Sequence, residues 1–150
     1  MIEQINSPDD LRQLVEIEEE CFHQPLSSAQ IARLLEDPNT CFLAERRGDM
    51  LLGSVWVQTV LDEGYIGNVA VRPAFRRRGI GDVLLNALDV QAGIRRLSFL
   101  TLEARAGNEA AISLYEKHGY SHVGHRPGYY TDPKEDAILM TKRFSIPENG

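Results

Sequence analysis

The chain has 150 residues, the size of one ordinary domain, and its 43% hydrophobic and 25% charged residues are close to globular averages. These values exclude a disordered, collagen-like or coiled-coil chain. The 16 Lys and Arg against 22 Asp and Glu leave a formal net charge of −6. That argues against general nucleic-acid binding, because neutralising phosphates takes a positive surface.

Two cysteines, Cys21 and Cys41, are too few for a disulfide framework and read as reduced thiols. The acidic start has no long apolar run, and no window approaches the roughly 18 apolar residues of a membrane span. The expectation is a soluble cytoplasmic protein, with a single domain over 1–144 and a loose tail over 145–150.

Ile2 to Ile5 reads as an edge strand. Ser7-Pro8-Asp9-Asp10 opens a helix that carries Leu11, Leu14, Val15 and Cys21 at helical spacing. Ser27 to Gln30 is a capping-box pattern ahead of Ile31, Leu34 and Leu35. Strands follow at Cys41 to Glu45, Leu51 to Val60 and Tyr65 to Val71, joined by short turns, which predicts an antiparallel meander. Ile80, Val83, Leu84, Ala87 and Leu88 fit one face of a helix, and Leu97 to Leu102 a strand. A second stripe runs through Ala110, Ala111, Leu114, Tyr115 and His118 to a C-cap at Gly119. Two late strands, about Ser121 to Arg126 and Asp136 to Arg143, complete an α+β domain. Its mixed sheet has six or seven strands and about four helices pack on it.

The most informative segment is Val69-Ala70-Val71-Arg72-Pro73-Ala74-Phe75-Arg76-Arg77-Arg78-Gly79-Ile80-Gly81-Asp82. Four arginines fall within seven positions, between a strand and a helix start, in a chain that is acidic overall. An arginine cluster alone is commonly a solvated face. Here it precedes a helix start whose free N–H groups and dipole favour an anion, and Gly79 and Gly81 let a ligand approach the backbone. Guanidinium forks suit phosphate. The segment therefore reads as a phosphate or pyrophosphate cradle. No Gly-Lys-Ser/Thr follows, so it is not a nucleotide-triphosphate loop, and Leu84 stands where a dinucleotide fingerprint needs its third glycine.

Arg-Arg-Arg-Gly-Ile-Gly after Asn-Val-Ala-Val-Arg-Pro resembles the acetyl-CoA motif of the GNAT superfamily of N-acetyltransferases. Leu102-Glu103-Ala104-Arg105 and the run from Asn108-Glu109-Ala110-Ala111 to Tyr115-Glu116-Lys117-His118-Gly119-Tyr120 resemble the second half of that family's pattern. Leu61-Asp62-Glu63, Arg126-Pro127-Gly128-Tyr129-Tyr130 and Glu135-Asp136-Ala137-Ile138-Leu139-Met140 are similar to the ribosomal-protein-alanine N-acetyltransferases of the RimI type. The resemblance spans about Ile2 to Lys142 and implies the GNAT fold. It also implies acetyl transfer from acetyl-CoA to a protein N-terminus, that of a basic ribosomal protein, without direct nucleic-acid or membrane binding. It leaves oligomeric state open.

The resemblance implies that Val69, Ala70, Val71, Arg76, Arg77, Arg78, Gly79, Ile80, Gly81, Asp82 and Asn108 hold the cofactor, with Arg77 and Arg78 as the cationic side chains. It assigns Glu103 as general base and Tyr115 as the acid that protonates the leaving thiolate. It also implies that Leu26, Glu63, Tyr129 and Tyr130 flank the acceptor. Read without it, Glu103 is a solvated acid at a strand's C-terminal edge, Tyr115 a core tyrosine, and Asn108 a helix N-cap. There are two departures. Leu26 stands where these enzymes often carry tryptophan, and Asp82 where a basic residue is common, which calls for its backbone N–H alone to face the cofactor. Asp62/Glu63 and Glu135/Asp136 read as solvated turns or as attractors of a basic peptide. His118, His122 and His125 lie at i, i+4 and i+7, but Gly119 and Gly124 break that helix, so no metal is expected. Two rival readings remain: a GNAT enzyme acting on a lysine or a small amine such as a polyamine, and a CoA-binding module without catalysis.

Overall fold

The computed structural model describes residues 1–144; the tail expected over 145–150 lies outside the described residues. Seven strands form one sheet: β1 (Ile2–Ile5), β2 (Thr40–Arg47), β3 (Met50–Val60), β4 (Glu63–Val71), β5 (Phe99–Arg105), β6 (Ser121–Thr131) and β7 (Lys134–Arg143). Their spatial order is β1-β2-β3-β4-β5-β7-β6, and β4 with β5 is the parallel pair. Four α-helices pack on it: α1 (Leu11–Cys21), α2 (Ser28–Glu36), α3 (Ile80–Ile94) and α4 (Glu109–Lys117). This is the mixed sheet with about four helices that the sequence predicts.

The continuous apolar run of β2 is explained by helices on both faces of the sheet. Cys41 and Leu43 join a core with Leu84, Leu85 and Leu88 of α3, whereas Phe42 and Ala44 join one with Leu14 and Ile17 of α1 and Ile31 of α2. Strand alternation thus splits one sequence run between two cores. The capping box at α2 forms as its sequence predicts: Gln30 N–H donates to Ser27 Oγ (3.1 Å) and Ser27 N–H to Gln30 Oε1 (2.8 Å). On α3, Val83 is half-exposed and Leu85 takes the buried place.

The late strands run further than predicted, because Pro127-Gly128 is absorbed as an irregularity inside β6 rather than ending it. Asp136 Oδ1 accepts the Gly128 N–H at 2.7 Å there, and Gly128 adopts φ +60°.

A second irregularity positions the functional site. Between the pairs Val55↔Val69 and Val57↔Ile66, β3 contributes one residue and β4 two, so Gly67 and Asn68 together oppose Trp56. Such a bulge bends its strand. Beyond it β4 leaves β5: their pairing ends at Tyr65↔Thr101, and the two strands fork. The Trp56 ring lies over Gly67 so closely that a Cβ there would sit 2.0 Å from Cε2. Gly67→Ala is therefore expected to destabilise the fold by about 1–3 kcal/mol, the usual cost of overpacking. The measurement is the urea midpoint, and Trp56→Leu in the Gly67→Ala background should recover part of the loss.

Candidate active site

Two cavities open at the fork and share β4 as a wall. One, of about 640 Å³, is lined by Val69, Ala70 and Val71 of β4, by the segment Phe75 to Asp82 apart from Arg78, and by Asn108, Ala111, Leu114 and Tyr115. Cys21 and Phe22 close its far side. The other, of about 420 Å³, is lined by Tyr65 to Asn68 of β4, by Thr101, Leu102 and Glu103 of β5, and by Arg126, Tyr129, Tyr130 and Leu139 of the β6–β7 hairpin.

The larger cleft has the donors for a diphosphate. Val83 N–H is the first in α3 to reach an intrahelical carbonyl, that of Gly79 at 3.1 Å, which leaves the amides of Ile80, Gly81 and Asp82 without one. Gly79 caps the helix at φ +78° with open space where a Cβ would lie, and Arg77 holds φ +65°, a region few side chains adopt. Gly81 lines the cleft, and its missing Cβ also makes room for Leu114 of α4.

The Asp82 carboxylate is engaged by α4. It meets His118 Nε2 at 2.7 Å and Lys117 Nζ at 3.0 Å, and these partners hold it below the usual carboxylate range. The acid that departs from the family pattern is thus neutralised at the far end of α4. Arg76 and Arg77 line the cleft, whereas Arg78 lies 5.5 Å from the Phe75 ring centre and outside the lining. Asn108 is the N-cap of α4, its Oδ1 accepting the Ala111 N–H at 3.2 Å, and it also faces the cleft.

The main chain of β4 supplies further groups. Arg72 N–H donates to the Leu52 carbonyl at 2.9 Å, so by alternation Ala70 points toward β3, and Val69 and Val71 point into the fork. There the Val71 carbonyl accepts Arg76 Nε at 3.1 Å and Cys21 Sγ at 3.3 Å. The fold thus gives Cys21 the basic neighbour its sequence lacks. Burial nonetheless outweighs Arg76 and pushes the thiol pKa up, which keeps Cys21 a poor nucleophile.

In the smaller groove, Glu103 lies inside β5 rather than at its C-terminal edge. The strand starts at Phe99 and runs to Arg105, because Leu97 is used in the preceding turn, its N–H on the Ala92 carbonyl at 2.9 Å. Leu102 and Ala104 point into the α3 side core, so Glu103 points the other way, into the space that β4 vacates. Arg126 Nε is 3.7 Å from Glu103 Oε1, and the carboxylate beside Tyr129 raises that hydroxyl's pKa. Burial pushes Tyr130 up to about 12, and Arg105 lies 4.3 Å from its ring centre.

Tyr115 stands on the cleft side, its ring buried at 8% exposure and edge-on to Tyr120 at 6.0 Å. Desolvation pushes its pKa up to about 12. Its hydroxyl has no side-chain partner among the described residues.

Three predicted site residues lie elsewhere. Leu26 packs in the α1–α2 core, Glu63 binds the Tyr65 hydroxyl at the start of β4, and Arg78 stacks on Phe75. The acidic pairs are tied into the fold: Asp62 to Ser98, Glu135 to Arg105 at 3.3 Å, and Asp136 to His125 at 2.9 Å. His118 and His125 therefore serve separate carboxylates, and no group of three metal-ligating side chains occurs among the described residues. Gly67, Asn68 and Arg126 were not among the predicted site residues. An isolated glycine inside an apolar strand was the available signal for the bulge.

A forked sheet with free helix-start amides and arginines on one side of β4 and a carboxylate groove on the other is an arrangement suited to group transfer between two bound molecules. The chain belongs to the Acetyltransferase (GNAT) family, whose family model matches residues 9–120. It is 36% identical over 139 residues to the [ribosomal protein bS18]-alanine N-acetyltransferase of Escherichia coli strain K12, covering 91% of this chain and 93% of that one. It is 34% identical over 136 residues to the Haemophilus ducreyi protein of the same name, covering 87% and 92%. The crystal structure of the ribosomal-protein-S18-alanine N-acetyltransferase from Escherichia coli superposes with a TM-score of 0.91 at 33% identity, covering 100% of this chain and 97% of that one.

Proposed function

We propose that this chain transfers the acetyl group of acetyl-CoA to the α-amine of an N-terminal alanine on a small-subunit ribosomal protein, by direct attack. One observation carries the reading: consecutive residues of a single strand, Ile66 to Asn68 and then Val69 to Val71, wall the carboxylate groove and the anion cleft in turn. An amine in the first lies next to a thioester in the second. Acetyl-CoA, when bound, supplies an activated acyl group on a thiol leaving group. The Ile80–Asp82 amides, Arg76 and Arg77 suit its phosphates, and the fork-facing groups of Val69 and Val71 suit its acyl arm.

The amine must be neutral to attack. An α-amine has a pKa of about 7.7–8.0 against about 10.4 for lysine, so near neutral pH a lysine costs roughly 3 kcal/mol more to deprotonate. Glu103 takes the amine proton, directly or through a water, as the N–C bond forms. Tyr115, protonated throughout this range, gives its proton to the thiolate as the C–S bond breaks.

An Ala-starting peptide of ribosomal protein S18, its N-blocked form and free polyamines, each incubated with acetyl-CoA and read by mass spectrometry, test the acceptor. Acetylation of the free N-terminus alone is expected. Equal turnover of the blocked peptide or of polyamines overturns the reading. Binding without any turnover favours the non-catalytic module.

The cradle makes a separate prediction. Arg77→Ala is expected to weaken CoA by about tenfold to a hundredfold, the worth of a hydrogen bond to a charged group. Arg78→Ala should change it far less, since Arg78 lies outside the lining. Calorimetric titration of CoA and dephospho-CoA into both variants shows which phosphate Arg77 reads.

A further inference from the structure

Glu18 of α1 is a buried carboxylate, 6% exposed, with no cation on it among the described residues. Its partners are neutral donors. Leu26 N–H reaches Oε1 at 2.9 Å, and Asn68 Nδ2 reaches Oε1 at 3.0 Å and Oε2 at 2.9 Å. A carboxylate only accepts hydrogen bonds, so the amide nitrogen of Asn68 has to face it, and chemistry fixes which way round the amide lies. Burying a charge against neutral donors is costly. A neutral side chain would hold Leu26 as well, but only an acceptor-only group forces the amide into one orientation.

The consequence falls on the other end of the amide. Asn68 Oδ1 points away from Glu18 and has no hydrogen-bond partner among the described residues. The sealed, unpartnered side-chain atoms are Trp56 Nε1, Asp89 Oδ1 and Tyr120 Oη, so Asn68 Oδ1 is open to solvent. Asn68 lines the same groove as Glu103, at the bulge where the sheet forks.

We propose that Asn68 is a further acceptor-binding residue: its Oδ1 accepts one N–H of the incoming amine, and Glu18 is the positioning residue that keeps Oδ1 facing the groove. This rests on the α-amine reading above. A neutral primary amine has two N–H bonds and one lone pair. With one N–H on Asn68 and the other directed to Glu103 on the opposite wall, the lone pair is left to face the cleft where the acyl group lies.

The test is steady-state kinetics with the Ala-starting S18 peptide and acetyl-CoA. Asn68→Ala is expected to raise the peptide KM about tenfold or more, with the acetyl-CoA KM held within about twofold. Glu18→Gln keeps the side-chain shape but lets the amide turn over, since Gln can donate to Oδ1. It should raise the peptide KM in the same direction, and should add nothing to it in the Asn68→Ala background. An unchanged peptide KM in Asn68→Ala overturns the proposal. So do additive effects in the double variant, or equal rises in both KM values with a lowered Tm, which mark a purely structural role. A wild type that binds acetyl-CoA but does not turn the peptide over fails the α-amine reading itself, and this inference with it.

Discussion

Glu103→Gln is expected to lose about 10²- to 10⁴-fold in kcat, the usual contribution of a positioned general base, while acetyl-CoA affinity stays unchanged. The split follows from where the side chain lies. Glu103 faces the acceptor groove and is absent from the wall of the anion cleft, so its replacement by a neutral amide of the same size touches only the amine side. Both proteins still need a neutral amine, so the kcat/KM of each should rise with pH and level off near the amine's pKa of about 7.7–8.0, the variant's lying below the wild type's throughout. Rapid-quench turnover across that range, with calorimetry of CoA, makes both measurements. A variant that loses CoA affinity, or that keeps the wild-type kcat, removes Glu103 from the role of base.

What the sequence revealed about this site follows the range of the interactions involved. The cap at Ser27, the start of α3 at Gly79 and the end of α4 at Gly119 rest on hydrogen bonds spanning a few residues, so local chemistry sufficed to place them. The anion cleft was legible for the same reason: strand end, arginines and helix start are contiguous in the chain. The acceptor groove was less so, because its walls come from β4, β5 and the β6–β7 hairpin, and its existence depends on where β4 leaves β5. That departure rests on Trp56 lying over Gly67, a contact between strands that no periodicity encodes. Glu103 lines the groove from inside β5 rather than from the strand end expected of it, since the turn that consumes Leu97 is closed by Ala92 from the preceding helix. The resemblance put Leu26 and Glu63 beside the acceptor, yet neither lines the groove: Leu26 packs against the α1–α2 core and Glu63 is held by Tyr65. Asp82 shows the reverse: an acid that looked hostile to phosphate is compatible with it because α4 brings His118 and Lys117 alongside.

Tyr115→Phe is expected to lower kcat by about 10²-fold, at the lower end for general acid catalysis. The reason is the leaving group: a thiol with a pKa of about 8.5, as for cysteine, departs as a tolerably stable anion and gains less from protonation than an alkoxide or amine would. Packing changes little in this variant, since the ring stays against Tyr120 and the lost hydroxyl has no side-chain partner among the described residues. Its Tm and acetyl-CoA affinity should therefore match the wild type. Burial holds the phenol at about 12, so it remains a proton donor well above neutral pH, and no alkaline limb from Tyr115 should appear in the wild-type rate below about pH 10. The same shift has a sign for stability. The folded state keeps its proton where the unfolded tyrosine, at 10.0, gives it up. The contribution is thus whole below pH 10 and fades as pH climbs toward 12. A Phe at this position removes that loss, so the two proteins' Tm values, equal at neutral pH, should part in alkali with the variant the more stable. Equal kcat values, or a variant that fails to bind acetyl-CoA, would reduce Tyr115 to a packing residue.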